Sequence, residues 1–130
     1  MCCSLANSLT AIRNATRLRK QYVDLRLSKS VRLIVDTLKR SGFVWGYEII
    51  DCNLSNVIRV SLKYSPAGDS AIRSIDCVSK PGNRVYVSAR NIPTVLQGLG
   101  IAVLSTNRGI LSGPESRAAQ VGGEYVCVVY

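Results

Sequence analysis

YVDLRLSKSVRLIVDTLKRSG, residues 22–42, holds the change of period from which the fold can be read. Val23, Leu25 and Leu27 alternate with Asp24 and Arg26, the period of two that marks a half-buried strand. After Ser28 and Ser30, either of which can cap a helix, Val31, Ile34, Val35 and Leu38 recur at i, i+3, i+4 and i+7. Gly42 then supplies a stop. A strand running straight into an amphipathic helix predicts a mixed α+β chain.

Upstream, Leu5 to Lys20 reads as a helix with Leu5, Leu9, Ile12 and Thr16 on one face and Arg13, Arg17 and Lys20 on the neighbouring one. Its Arg-rich, acid-free composition is also that of a mitochondrial transit peptide. With no small-residue spacer before the next strand, the segment is expected to be folded and retained. Downstream, Phe43 to Cys52 and Asn56 to Tyr64 read as a hairpin turning at Asn53-Leu54-Ser55. Arg32, Asp36 and Arg40 are spaced to pair along the second helix.

Ser65-Pro66-Ala67-Gly68-Asp69 breaks the pattern and places a linker. The expectation is two small α/β modules: residues 1–65 as an α-β-α-β-β module, and 66–130 as a mostly β module with short helices. In the second, Ala71 to Ser79 and Arg84 to Ser88 read as strands around a Pro81-Gly82 turn, with Tyr86 pointing away from Val85 and Val87. A short helix is expected over Ile92 to Gln97, capped by Asn91 and ended by Gly98 and Gly100, then a strand over Ile101 to Ser105. Ser112 and Glu115 fit a capping box for a helix over Pro114 to Gln120. Gly122-Gly123 leads into a final strand, Glu124 to Tyr130.

Composition limits the functions open to such a chain. Seventeen Lys and Arg against eight Asp and Glu give +9 over 130 residues, a surplus that calls for a polyanionic partner. The charge is uneven: nine basic and two acidic residues lie in 1–45, three and four in 46–79, five and two in 80–130. Both ends, rather than the middle hairpin, are expected to meet nucleic acid. Arg and Lys interrupt every apolar run before the roughly 20 residues that span a bilayer. A membrane-surface role for the first helix would need Leu5, Leu9 and Ile12 exposed.

Five cysteines, Cys2, Cys3, Cys52, Cys77 and Cys127, include no Cys-x-x-Cys pair, and there is no histidine, so neither a metal site nor a cofactor is expected. Without a histidine base, a carboxylate pair in a motif or a third glycine after Gly98-Leu99-Gly100, no catalytic site is expected either. What remains is a turn, Ser105-Thr106-Asn107-Arg108-Gly109, beside a basic strand bearing Tyr86. Its hydroxyls and amide can face base edges and 2′-hydroxyls, Arg108 can fork onto phosphate or guanine, and Gly109 allows close approach.

These residues resemble the small ribosomal subunit protein eight family, of the bacterial and organellar type. The resemblance covers nearly the whole chain: Ala11-Ile12-Arg13-Asn14, the run from Val78-Ser79-Lys80-Pro81-Gly82 to Arg84-Val85-Tyr86, Gly98-Leu99-Gly100-Ile101, Ser105-Thr106 through Gly109-Ile110-Leu111, and Gly122-Gly123-Glu124. It implies a two-domain protein that binds a helical junction in the central domain of small-subunit rRNA, supports assembly and translation, touches neighbouring ribosomal proteins, and takes no small-molecule substrate. Carried over residue by residue, the implied RNA contacts are Ser105, Thr106, Asn107, Arg108 and Gly109, with Tyr86, Arg84 and Glu124 supporting and Arg13, Asn14 and Arg17 on the first helix. The chain departs from the family at Ser112-Gly113, where Thr-Asp is usual. The resemblance implies a ribosome; the cysteine-bearing, histidine-free composition favours a mitochondrion or plastid over the bacterial cytoplasm.

Overall fold

The computed structural model describes residues 2–51, 56–79 and 82–130, except for the side chains of 2–5 and 51. The expected turn at Asn53-Leu54-Ser55, the side chain of Leu5, Pro81, and Cys2, Cys3 and Cys52 as side chains lie outside the described residues. The chain forms two compact units, residues 3–73 and 74–130.

The first unit runs α1 (Cys2–Arg17), β1 (Tyr22–Arg26), α2 (Lys29–Arg40), β2 (Val44–Asp51) and β3 (Asn56–Leu62). Helix α1 ends before Lys20 because Arg19 turns left-handed at φ 56°. The Lys20 N–H bonds the Ala15 carbonyl at 3.0 Å and the Arg19 N–H bonds that of Thr16 at 3.2 Å, the paired closure of a left-handed helix stop. Its buried face is Ser8, Leu9, Ile12 and Ala15, with Thr16 only half-buried. Leu9 and Ile12 are therefore not available to a membrane surface. Ser28 caps α2, its hydroxyl accepting from the Val31 N–H at 3.2 Å, and Val31, Ile34, Val35 and Leu38 are buried as the spacing requires. Of the two pairings expected along α2, Asp36–Arg40 closes at 2.7 Å.

The three strands form an antiparallel sheet in the order β1-β3-β2, with Ile58, Val60 and Leu62 of the central strand in the core. On the outer face Arg59 grips Asp24 with two hydrogen bonds, 2.8 and 3.1 Å, and lies 4.3 Å from the Tyr22 ring centre. That pairing occupies much of the hairpin's positive charge internally.

The unit boundary lies between Arg73 and Ser74, beyond the break after Ser65 that the Pro and Gly suggested. The turn is tied to the end of β3: Ser65 N–H bonds the Asp69 carbonyl at 2.7 Å, Gly68 N–H that of Ser65 at 2.9 Å, and Ala71 N–H that of Lys63 at 2.9 Å. These bonds hold residues 66–73 with the first unit.

The second unit runs β4 (Ile75–Cys77), β5 (Tyr86–Val87), β6 (Ile101–Thr106), β7 (Gly109–Ser112), α3 (Gly113–Ala119) and β8 (Gly123–Val129). Its antiparallel sheet has the order β4-β8-β6-β7, with β5 also pairing to β8. Strands β4 and β5 are shorter than Ala71 to Ser79 and Arg84 to Ser88. Each keeps only the residues that find a partner on β8.

The helix expected over Ile92 to Gln97 does not form. A single left-handed turn stands at Leu96–Gly98, with φ of 46°, 55° and 94°. Ile92, Thr94 and Val95 are β-branched, and Pro93 disfavours the helical region for Ile92 before it, so propensity within the segment outweighs the cap at Asn91. The capping box does form: Ser112 Oγ accepts from the Glu115 N–H at 3.4 Å, and Glu115 Oε1 from the Ser112 N–H at 3.1 Å. Gln120, at φ 56°, closes α3 one residue before its expected end.

Candidate nucleic-acid interface

Strand β8 lies at the middle of the second sheet, and its first residues set the geometry around them. Glu124 pairs with Tyr86 of β5 on one side and with Ser105 of β6 on the other, and Ser105 pairs in turn with Ile110 of β7. Directly opposed residues share a face, so Tyr86, Glu124, Ser105 and Ile110 form one row across four strands. Adjacent strands lie about 4.8 Å apart, which separates Tyr86 from Ser105 by roughly 10 Å of backbone.

Strands can approach this closely because Gly122 and Gly123 have no side chains. A Cβ on Gly123 would penetrate the Ser105 carbonyl oxygen and stand 2.9 Å from its carbon; one on Gly122 would penetrate that of Val87 and stand 2.8 Å from the Ser88 Cα.

Ser105-Thr106-Asn107-Arg108-Gly109 is the tip of the β6–β7 hairpin rather than a free loop. Thr106 pairs with Gly109, leaving Asn107 and Arg108 as the turn, and Gly109 takes the positive φ, 105°. Strand β7 was hidden in the sequence because its residues, Gly109-Ile110-Leu111-Ser112, begin with a turn-former and end with a helix cap. The Thr106 hydroxyl is committed to the turn, donating to the Gly109 carbonyl at 2.8 Å and accepting from the Arg108 N–H at 3.1 Å. Ser105, Asn107 and Arg108 are different: among the described residues their side chains make no hydrogen bond or ion pair. Asn107 and Arg108 are exposed, and Tyr86 is 69% exposed.

The division of labour within Thr106 and Ser105 has a measurable outcome. Thr106→Val should lower stability by about 1 kcal/mol through the lost turn bonds, read as a shift in the urea midpoint. Ser105→Ala should leave the midpoint in place.

Glu124 is held from inside. Its Oε1 accepts from the buried Ser79 hydroxyl at 2.7 Å and from Arg84 Nη1 at 2.9 Å. The Ser79 oxygen also accepts from the Val85 N–H at 3.3 Å. The Ser79 bond first, and Arg84 after it, hold the Glu124 carboxyl below its ordinary range against the opposing effect of burial. Arg84 and Glu124 thus spend contacts on each other, and Ser79 joins them as a residue that periodicity gave no reason to single out. A Ser forty-five residues before a Glu carries no local signal; the pairing of β4 with β8, continued by the Val78 and Ser79 N–H groups on the Val126 carbonyl, brings them together.

Arg13, Asn14 and Arg17 stand on α1 in the first unit, Asn14 and Arg17 exposed and Arg13 half-buried. Asn14 lines a shallow hollow with Leu18, Lys20 and Asp24, and Arg17 lines a separate one with Ser70 and Arg73. The three residues therefore do not converge on one hollow.

The sequence model of the family described as ribosomal protein S8 matches residues 4–130. The chain belongs to the ribosomal protein S8 family. It is 44% identical to the small ribosomal subunit protein uS8 of Geobacillus kaustophilus, over 97% of this chain and 96% of that protein. Against the protein of the same name from Oceanobacillus iheyensis the identity is 46% over the same shares, and against that from Thermodesulfovibrio yellowstonii 41%. The S8 family thus accounts for both units and for every strand of the row just described.

Proposed function

We propose that this S8-family chain is a structural constituent of the small ribosomal subunit that binds the central domain of its rRNA, with the C-terminal unit making the main contacts. The observation that carries the reading is the β6–β7 tip: among the described residues Ser105, Asn107 and Arg108 are without internal partners, and the tip shares a sheet with an exposed Tyr86. A net charge of +9 supplies affinity for phosphate, while hydroxyl, amide and aromatic groups in a fixed row supply selectivity for one folded site. Gly109 sets the turn, Thr106 fixes it, Glu124 and Arg84 hold the row, and Arg13, Asn14 and Arg17 offer a second, weaker contact from α1. Its chemistry is binding alone; it supports assembly and translation as architecture beside neighbouring ribosomal proteins.

Filter binding across a salt series tests the tip. Arg108→Ala should reduce the slope of log affinity against log salt by roughly one; an unchanged slope and affinity would remove Arg108 from the interface. Ser105→Ala should weaken cognate rRNA more than unrelated RNA, since a hydroxyl contact to a base or ribose depends on fit. Equal losses on both would refute its role in selectivity.

The ribosome that holds the chain is a finer matter. The histidine-free, cysteine-bearing composition is what supports an organelle, and the three relatives named, all bacterial, add nothing to that preference. Co-sedimentation with small subunits from fractionated cells distinguishes the two.

A further inference from the structure

The register of β4 against β8 sets two thiols opposite each other. Ser74 and Tyr130 exchange both backbone hydrogen bonds, at 2.7 and 2.9 Å. Bonded and non-bonded pairs alternate along an antiparallel ladder. Ile75–Val129 is therefore a non-bonded pair, Asp76–Val128 a bonded one and Cys77–Cys127 a non-bonded one. The Val78 N–H, bonded to the Val126 carbonyl at 2.9 Å, continues the alternation.

Non-bonded partners are the close ones, with Cα atoms about 4.5 Å apart and both side chains on one face. That separation falls at the near end of the roughly 4.4–6.8 Å over which a disulfide can close. Both residues are thiols, Cys77 half-buried and Cys127 fully buried.

We propose that Cys77 and Cys127 form a redox-modification site that closes to a disulfide across β4 and β8 when the protein meets hydrogen peroxide. The half-buried Cys77 reacts first. Its thiolate attacks one peroxide oxygen and the O–O bond breaks, giving a sulfenic acid on Cys77 and one molecule of water. Cys127 Sγ then displaces the hydroxyl from Cys77 Sγ, the S–S bond forms, and the hydroxyl leaves as a second water with the Cys127 proton. Each thiol loses one hydrogen and the peroxide takes up the two electrons. Burial pushes the Cys127 thiol up to about 12, so Cys127 is not the first to attack peroxide, because the thiolate is the attacking form; in the second step its proton departs with the leaving hydroxyl.

Closure reaches the polar row. Cys77 Sγ donates to the Ser79 carbonyl at 3.0 Å, and a disulfide removes that donor from the residue whose hydroxyl holds Glu124.

The test uses the folded full-length chain with Cys2→Ser, Cys3→Ser and Cys52→Ser, treated with hydrogen peroxide at neutral pH, alkylated and digested with trypsin. The expected product joins the peptides 74–84 and 118–130, is released by a dithiol, and is absent when Cys77→Ser is added. The chain with all five cysteines, treated alike, should give the same joined pair ahead of any pairing with Cys2, Cys3 or Cys52, so the result does not depend on the substituted chain folding. Recovery of Cys77 and Cys127 as separate alkylated or sulfinic species would overturn the proposal, as would a link that forms only in urea.

Discussion

Gly123→Ala should unfold the C-terminal unit and reduce rRNA binding to the level of non-specific attraction. The added methyl meets backbone, the Ser105 carbonyl, and not the movable end of a side chain. Relief requires β6 to move off β8, which breaks the pairs Ser105–Glu124 and Thr106–Gly123 and the row built on them. Overpacking of this kind costs about 3 kcal/mol or more, a large share of what a unit this small has. Gly82→Ala is the matched control: among the described residues a Cβ there meets nothing within 4 Å, so its effect should stay within about 0.5 kcal/mol. Urea unfolding of both variants, with limited proteolysis to show the first unit intact, checks the pair. A Gly123→Ala chain as stable as the Gly82→Ala chain would contradict the close approach of β6 and β8.

The second large effect belongs to Glu124. Glu124→Ala leaves the buried Ser79 hydroxyl without that acceptor and breaks the ion pair with Arg84, and should cost about 2 kcal/mol at neutral pH. Acid should produce part of the same loss in the unaltered chain. The folded carboxyl titrates below the ordinary range, because Ser79 and Arg84 favour its charged form. Its contribution is therefore full above the unfolded carboxylate pKa and disappears as pH falls through the lower folded value. Glu124→Gln should flatten that acid limb. A smaller slope remains from Asp24, which Arg59 holds low in the same way in the first unit. Unfolding midpoints taken from neutral to acid pH decide the matter, and identical acid limbs for Glu124→Gln and the parent chain would remove Glu124 as the source.

Much of the fold could be read from local pattern. Alternation placed β1 and β3, helical spacing placed α2, and the Ser112–Glu115 box placed α3, since in each case the signal lies within one element. What sequence did not show depends on pairing across distance. Strands β4 and β5 are cut to the lengths that β8 supports, so Ala71 to Ser79 could not be trimmed without knowing the partner. At Ile92 to Gln97 a cap and a glycine stop framed a segment whose interior resists a helix. The same division runs through the site. Turn residues at 105–109 stood out by type, yet their types alone could not separate Thr106, which is committed to the turn, from Ser105, which is not. Ser79 and the facing thiols were invisible because nothing in the chain's order brings residues 79 and 124, or 77 and 127, together.

The central place of β8 also governs when the second unit can exist. By the time synthesis has passed residue 112, β4, β5, β6 and β7 have all been made, but three of them still lack the strand on which they pair. Contacts of such long sequence separation form slowly and last. Until residues 123–129 emerge, the nascent chain presents Ile101 to Leu104 as an apolar edge with one side open, a form that invites chaperones or aggregation. Nascent chains stalled before and after β8 should therefore differ sharply in protease resistance, while the first unit resists in both.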